Sequence, residues 1–321
     1  MSIHYERRGP EVHTLGGVIT QKNADLCTVR IRIPAGDITS ERMAGLVDIA
    51  SKFGNGSLHL TNRQSIEIPH VDPHNLEAME VLLEKNGTPV GAEFTEVVNV
   101  VACPGTDRCK LANIDSSTLA KEIDKRFFRM ELPLRIRIAV SSCPNSCVSS
   151  WVSDIGIIGV QKPIRNPTLC SGCGTCVDYC KEKALLVKHG AVILNEGLCT
   201  TCGNCIHTCQ FNVITGKPLG YQIMVGGSHG RFPHLARYLT TVSTQESAML
   251  VVEGILDWVR RFACEGKRFR IQIEEEGYDT FRQYVLKNVP EDTIETIENV
   301  SYLSQLSSTD TKYSLNLRQL E

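Results

Sequence analysis

The chain has 321 residues, 34 Lys plus Arg against 36 Asp plus Glu, and 42% hydrophobic residues. A net charge of −2 supplies no field that would draw it to nucleic acid or an anionic membrane, so neither is an expected partner. No apolar run nears the ~18 residues of a membrane span. Residues 1–8 lack the apolar core of a secretory signal, so a cytoplasmic protein without membrane insertion is expected. Fourteen cysteines there point to metal rather than to disulfides, and the length suffices for two or three domains.

Residues 26–33 alternate, with Cys27, Val29, Ile31 and Ile33 opposite Leu26, Thr28, Arg30 and Arg32, which predicts a strand with one apolar face. Thr39 or Ser40 opens a helix with an apolar stripe of Met43, Leu46, Val47 and Ala50, ended at Gly54-Asn55-Gly56. Residues 57–68 read as a second strand placing His59, Thr61 and Arg63 on one face. A second helix runs from Asp72-Pro73 to Asn86-Gly87. Strand, helix, strand, helix suggests a small α/β sandwich. Its arginines fit a solvated face or a polyanionic ligand.

Residues 97–102 form an apolar strand leading into Cys103-Pro-Gly-Thr-Asp-Arg-Cys109, and a helical pattern follows to about Phe128. Residues 134–140 alternate again, with Arg135 and Arg137 on the polar side, and lead to Cys143-Pro-Asn-Ser-Cys147. The i, i+4 spacing of Cys143 and Cys147, with Pro144 just inside, predicts a helical turn that faces both sulfurs one way. Four such cysteines suit a cubane iron–sulfur cluster. A structural zinc site is the alternative, though its usual close C-x-x-C knuckles are absent.

The strongest pattern comes next. Cys170-x2-Cys173-x2-Cys176-x3-Cys180 is followed by Cys199-x2-Cys202-x2-Cys205-x3-Cys209. In such runs three cysteines wrap one cubane and the fourth reaches its neighbour. One cluster is therefore expected on Cys170, Cys173, Cys176 and Cys209, the other on Cys199, Cys202, Cys205 and Cys180. Gly172 and Gly203 give the loops room to curl. The proline that usually follows the fourth cysteine is replaced by Lys181 and Gln210. The segment resembles a bacterial two-cluster ferredoxin domain inserted in a longer chain. Cys27 and Cys264 are left over and read as buried hydrophobes.

Beyond the insert, residues 221–225 read as a strand ending in a Gly226-Gly227 loop, either a close approach to a large ligand or a plain tight turn. Helices are expected over 245–262, with a core stripe that includes Leu250 and Phe262, and over 278–289. No G-x-G-x-x-G run marks a nucleotide site. The tail from 291 has no assignable pattern.

Taken together, Gly54-Asn55-Gly56, His59-Leu-Thr-Asn-Arg63-Gln64, the two cysteine pairs, Leu132-Pro-Leu-Arg135-Ile-Arg137 and the Gly226-Gly227 loop resemble the sirohaem sulfite and nitrite reductases over roughly residues 20–290. The ferredoxin insert is similar to that of dissimilatory sulfite reductases. The single-repeat length resembles the catalytic component of anaerobic sulfite reductases.

The resemblance implies an α+β fold with a ferredoxin-like "parachute" sandwich (1–90), a sirohaem and [4Fe-4S] domain (91–165 and 219–321) and the inserted two-cluster domain (166–218). It implies sirohaem and three [4Fe-4S] clusters, the third on Cys103, Cys109, Cys143 and Cys147. Cys147 would bridge that cluster to the sirohaem iron, and Asn145 would contact the macrocycle. Arg30 and Arg32 would pair with its carboxylates. His59, Thr61, Gln64, Gly226 and Gly227 would line it. Arg63, Arg135 and Arg137 would bind the anionic substrate. Val98 stands before Asn99 where family members usually carry a further arginine.

The implied activity is reduction of sulfite to sulfide, with electrons from an external donor protein or subunit passing through the insert. A homodimer or higher two-fold assembly would complete each site, because longer members contain two copies of the repeat found once here. The competing readings are sirohaem nitrite reduction to ammonia, a non-catalytic electron-transfer subunit, and an inactive sirohaem-carrying partner.

Overall fold

The computed structural model describes residues 16–295; residues 1–8, read above for a signal sequence, and the tail from 296 lie outside the described residues. The chain divides into two units. The first comprises Met1–Val101, Ala120–Arg137 and Val259–Lys267, and the second Ala102–Leu119, Ile138–Trp258 and Arg268–Glu321.

In the first unit β1 (Val18–Thr20), β2 (Cys27–Ile31), β3 (His59–Leu60) and β4 (Ile66–Val71) form an antiparallel sheet in the order β1-β2-β4-β3. Helix α1 (Ser40–Phe53) starts where Thr39 Oγ1 accepts from the Arg42 N–H at 3.3 Å, a side-chain N-cap. Helix α2 (Leu76–Lys85) follows a turn over Pro73–Asn75. Val29, Ile31, Leu46, Ile49, Ile68, Met79 and Leu83 pack one core, so the alternation of 26–33 is borne out. Cys27 is buried in it as expected, its thiol donating to Val71 O at 3.3 Å. Val47 is exposed, and Ile49 takes its place in the core.

The expected strand over 57–68 is instead a hairpin. Thr61 N–H donates to Ser65 O at 3.0 Å, and Gln64 sits at φ 54°. This turn breaks the supposed face of His59, Thr61 and Arg63 and puts Arg63 at the hairpin tip. The hydroxyl of Thr61 stabilises the turn by accepting from the Arg63 and Ser65 N–H groups.

β5 (Val97–Ala102), α3 (Ser116–Phe127) and β6 (Ile136–Ser141) begin in one unit and end in the other. The helix expected directly after Cys109 starts only at Ser116. In the second unit β6 runs parallel to β7 (Ile155–Arg165). Between β7 and β10 (Ile214–Val225) hang two short helices, α4 (Thr175–Asp178) and α5 (Asn204–Thr208), and the β8–β9 hairpin (Leu185–Lys188, Ala191–Leu194). β10 pairs with β7 from Ile214↔Arg165 to Val225↔Ile155, and β11 (Arg237–Val242) lies beyond it. The strand expected at 221–225 thus begins seven residues earlier, which ties both ends of the insert to one ladder.

Helix α6 (Gln245–Phe262) matches its expected span, but Phe262 is exposed. Cys264, beyond the helix end, is exposed rather than buried. Helix α7 (Phe269–Glu276) has no counterpart among the expected elements, and α8 (Tyr278–Leu286) ends three residues early. Phe269 and Phe281 pack edge-on at 6.0 Å between ring centroids, and both meet Trp258 of α6. Among the described residues no helix is long and apolar enough to cross a membrane.

Candidate metal centres and an arginine cluster

The insert contains two partly open cavities. One is lined by Cys170, Cys173, Cys176 and Cys209, the other by Cys180, Cys199, Cys202 and Cys205. The fourth cysteine of each run therefore crosses to the other cavity. Burial pushes the Cys176 thiol up, and the nearby Cys209, Cys170 and Cys173 push it further. Cys205 rises to about 12, first by burial and then by Cys202, Cys199 and Cys180. Thiolates crowded this way need a compensating cationic group, which an iron cluster provides. Among the described residues no three His, Cys, Asp or Glu close on one point as a single metal ion requires; the thiols stand round cavities instead. Gly172 and Gly203 both sit at positive φ, at 69° and 77°.

Cys103 and Cys143 are buried at the ends of β5 and β6, and Cys147 is exposed. Burial alone would raise the Cys103 thiol. Hydrogen bonds with the hydroxyls of Ser116 and Ser142, the latter accepting from Cys103 Sγ at 3.2 Å, and from the N–H groups of Ser142 and Gly105 outweigh it and bring the thiol below its usual range. Burial raises Cys143, which also feels the charges of Cys103 and Cys147, so these three converge. Cys109 donates its N–H to Gly105 O at 3.0 Å, which keeps it one turn from Cys103. The helical turn expected at Cys143 is absent. Ser146 N–H closes a tight turn on Cys143 O at 3.1 Å, and Ser146 itself lies at φ 50°. Asn145 Nδ2 reaches Cys143 Sγ at 3.5 Å, and its Oδ1 accepts from Lys181 Nζ at 3.0 Å. Asn113 Nδ2 donates to both Gly159 O and Cys202 O, while its backbone N–H donates to Ser142 O. The loop of the second cavity is thus fastened beside Cys143.

Arg30, Arg63 and Arg135, all in the first unit, meet on one carboxylate, Glu93. Arg63 Nη1 lies 2.7 Å and Arg135 Nη1 3.4 Å from it. Arg30 also holds Glu67, with Nη2 to Oε1 at 2.6 Å. Burial works against the charge on Glu93, but Arg30 and Arg63 win and hold its carboxyl below the usual range. Arg32 holds Asp124 at 2.5 Å and stacks on Phe128. Arg30, Arg32, Arg63, Gln64, Val98 and Asn99 line a partly open cavity, and Asn99 Oδ1 is buried with no hydrogen-bond partner. Arg137 is half-buried on β6 and His59 is exposed on β3.

At Gly227 the close approach is to the protein's own backbone: a Cβ there would lie 2.5 Å from Ser153 O. Sequence reasoning missed Glu93, Ser116, Ser142 and Asn113. Ser142 was findable as the residue beside Cys143; the other three carry no local signal.

A family model described as the nitrite and sulphite reductase 4Fe-4S domain matches residues 93–292. This chain belongs to the nitrite and sulphite reductase family. The family's ferredoxin-like half domain matches residues 19–86, the segment that carries Arg30 and Arg63. Relatives include a subunit of the anaerobic sulfite reductase of Salmonella typhimurium, 29% identical over 81% of this chain and 83% of that protein. The coenzyme F420-dependent sulfite reductase of Methanocaldococcus jannaschii is 36% identical over 63% of this chain, which spans a third (33%) of that longer protein. A dissimilatory sulfite reductase crystal structure shares the fold, with TM-score 0.70 and 18% identity over 84% of this chain and 71% of that one. The reductase fold expected for this α+β chain, with a ferredoxin-like half domain, is thereby borne out.

Proposed function

We propose that the chain reduces sulfite to sulfide with sirohaem and three [4Fe-4S] clusters. The observation that carries this reading is the contrast at Cys147, an exposed thiol beside the buried Cys103 and Cys143. Cys147 would hold the cluster with its neighbours and is the one of these three thiols open to a further metal. When bound, sirohaem and the clusters supply the iron and the electrons that break three S–O bonds.

The chain's own residues set the conditions. Cys103, Cys109, Cys143 and Cys147 hold one cluster, and the two crossed sets of the insert hold the others. Arg63, Arg135 and Arg137 bind the oxyanion and offset charge as oxygen leaves. Guanidinium stays protonated throughout, so these residues clamp and do not donate, and protons come from water. Arg30 and Arg32 stand on the same cavity wall as Arg63, Arg30 already held by Glu67 and Glu93 and Arg32 by Asp124, and would meet the carboxylates of a macrocycle only with their remaining N–H groups. Gln64 and Asn99 add polar edges to that wall, and the unpartnered Asn99 Oδ1 has room for a donor from a bound group. His59, Thr61, Asn145, Gly226 and Gly227 are assigned to cofactor binding on the family resemblance alone. The insert passes electrons from an external donor protein, and two copies of the chain form a two-fold assembly in a cytoplasmic enzyme.

The test is turnover by the anaerobically purified protein with reduced methyl viologen. Sulfide from sulfite at six electrons each supports the reading. Nitrite reduced to ammonia in strong preference would make it a nitrite reductase, and turnover of neither would reduce it to an electron-transfer protein.

A further inference from the structure

Three guanidinium groups from separate segments converge on one internal carboxylate. Arg30 comes from β2, Arg63 from the hairpin tip, and Arg135 from just before β6; all three meet Glu93. We propose that Glu93 is a built-in oxyanion that competes with the substrate for Arg63 and Arg135 and so sets how tightly the site takes small anions. This rests on the assignment of Arg63 and Arg135 to sulfite.

The three arginines are not equivalent. Arg30 keeps Glu67 as a second carboxylate, on both Nε and Nη2, so it stays neutralised whatever Glu93 does. Side-chain exposure rises from 11% at Arg30 to 24% at Arg63 and 48% at Arg135. Contact length rises outward as well, from 2.7 Å at Arg63 to 3.4 Å at Arg135. The carboxylate is therefore gripped from inside and loosely held on the solvent side. An incoming oxyanion meets Arg135 first and then shares Arg63. Its binding is weakened by the Glu93 charge a few ångströms away, in a half-buried place where such repulsion is poorly screened. The backbone fixes Glu93 in place: the N–H groups of Glu93 and Phe94 both donate to Glu96 Oε1, at 3.0 and 3.3 Å. The carboxylate itself is held on its inner side by Arg30.

Glu93→Gln keeps the shape and removes the charge. In the holoenzyme, KM for sulfite should fall by about 5- to 150-fold, the range of an ordinary coupling between two sites. Inhibition by sulfate and phosphate should tighten in parallel, with kcat not raised. Calorimetric titration of resting protein with sulfate provides a readout independent of turnover and should show the same tightening. Glu93→Asp keeps the charge but draws it one methylene back from Arg135, and should shift binding the same way by less; it also serves should the Gln variant not fold. Unchanged or weaker anion binding in these variants overturns the proposal. A wild-type protein that makes no sulfide sinks the sulfite assignment instead, while the sulfate titrations still decide the role of Glu93.

Discussion

Lys181 Nζ donates to Asn145 Oδ1 at 3.0 Å. Lys181 follows Cys180, which lines the second cavity of the insert, and Asn145 stands between Cys143 and Cys147. One hydrogen bond thus joins the edges of two centres. Asn113 adds a second link by donating to Cys202 O and, through its backbone, to Ser142 O. The other cavity carries the exposed Cys173.

Replacing Lys181 by Met should slow dithionite-driven reduction of sulfite by about 2- to 30-fold, the range of a 0.5–2 kcal/mol coupling. Iron content and KM for sulfite should stay as in wild type, and Lys181→Arg should recover most of the rate. Stopped-flow kinetics with iron analysis on the three proteins checks this.

The crossed cavities make a sharper forecast. Cys180→Ala should cost the cluster of Cys199, Cys202 and Cys205 and spare that of Cys170, Cys173 and Cys176. Cys209→Ala should do the reverse. Each variant should lose roughly four irons. Electron paramagnetic resonance of the reduced proteins would show a different cluster signal missing in each; the same signal missing from both contradicts the crossing.

Arg63→Ala should lower kcat/KM for sulfite by roughly 10- to 150-fold, the worth of a charge-assisted hydrogen bond of about 1.5–3 kcal/mol. Most of the change should fall on KM. Arg63→Lys should recover only part, because an ammonium cannot span both the anion and Glu93 in one plane. An unchanged KM in the Ala variant would remove Arg63 from the substrate site.

Glu93 also predicts a pH dependence of stability. Its folded pKa lies below the ordinary 4.5, burial being outweighed by Arg30 and Arg63. A depressed carboxyl contributes stability that is complete above the unfolded pKa and lost as pH falls through the folded one. Denaturant midpoints should therefore drop below about pH 4.5 in wild type more steeply than in Glu93→Gln. Parallel pH profiles would deny Glu93 this role.

The parts of the fold that were legible are those where period or spacing is local. The alternation around Val29 and Ile31 located β2, and Thr39 before an apolar stripe located α1. The two C-x2-C-x2-C-x3-C runs fixed which thiols share a cavity, because the ligand spacing is dictated by the size of the cluster. Misreadings arose where a turn interrupts a pattern. Thr61 and Gln64 fold 57–68 into a hairpin although its sequence alternates, and Ser146 at positive φ breaks the helical turn expected from Cys143 and Pro144. Glu93 was invisible for a different reason. Its three partners lie 63, 30 and 42 residues away, so no window of sequence contains the cluster. Arg30 and Arg63 were singled out as cations, but the carboxylate that gathers them could be found only in three dimensions.

The proposed reduction of sulfite assigns Cys147 to hold a cluster and to meet the iron that sirohaem would bring. The direct measurement is the anaerobic optical spectrum of protein made with ample sirohaem precursor, for wild type and Cys147→Ala, alongside iron and acid-labile sulfide. Red-region macrocycle absorbance that shifts when sulfite is added to wild type, and loss of that shift in the variant, is the predicted result. Iron and sulfide without any macrocycle in wild type, or an undiminished sulfite-induced shift in Cys147→Ala, would contradict it.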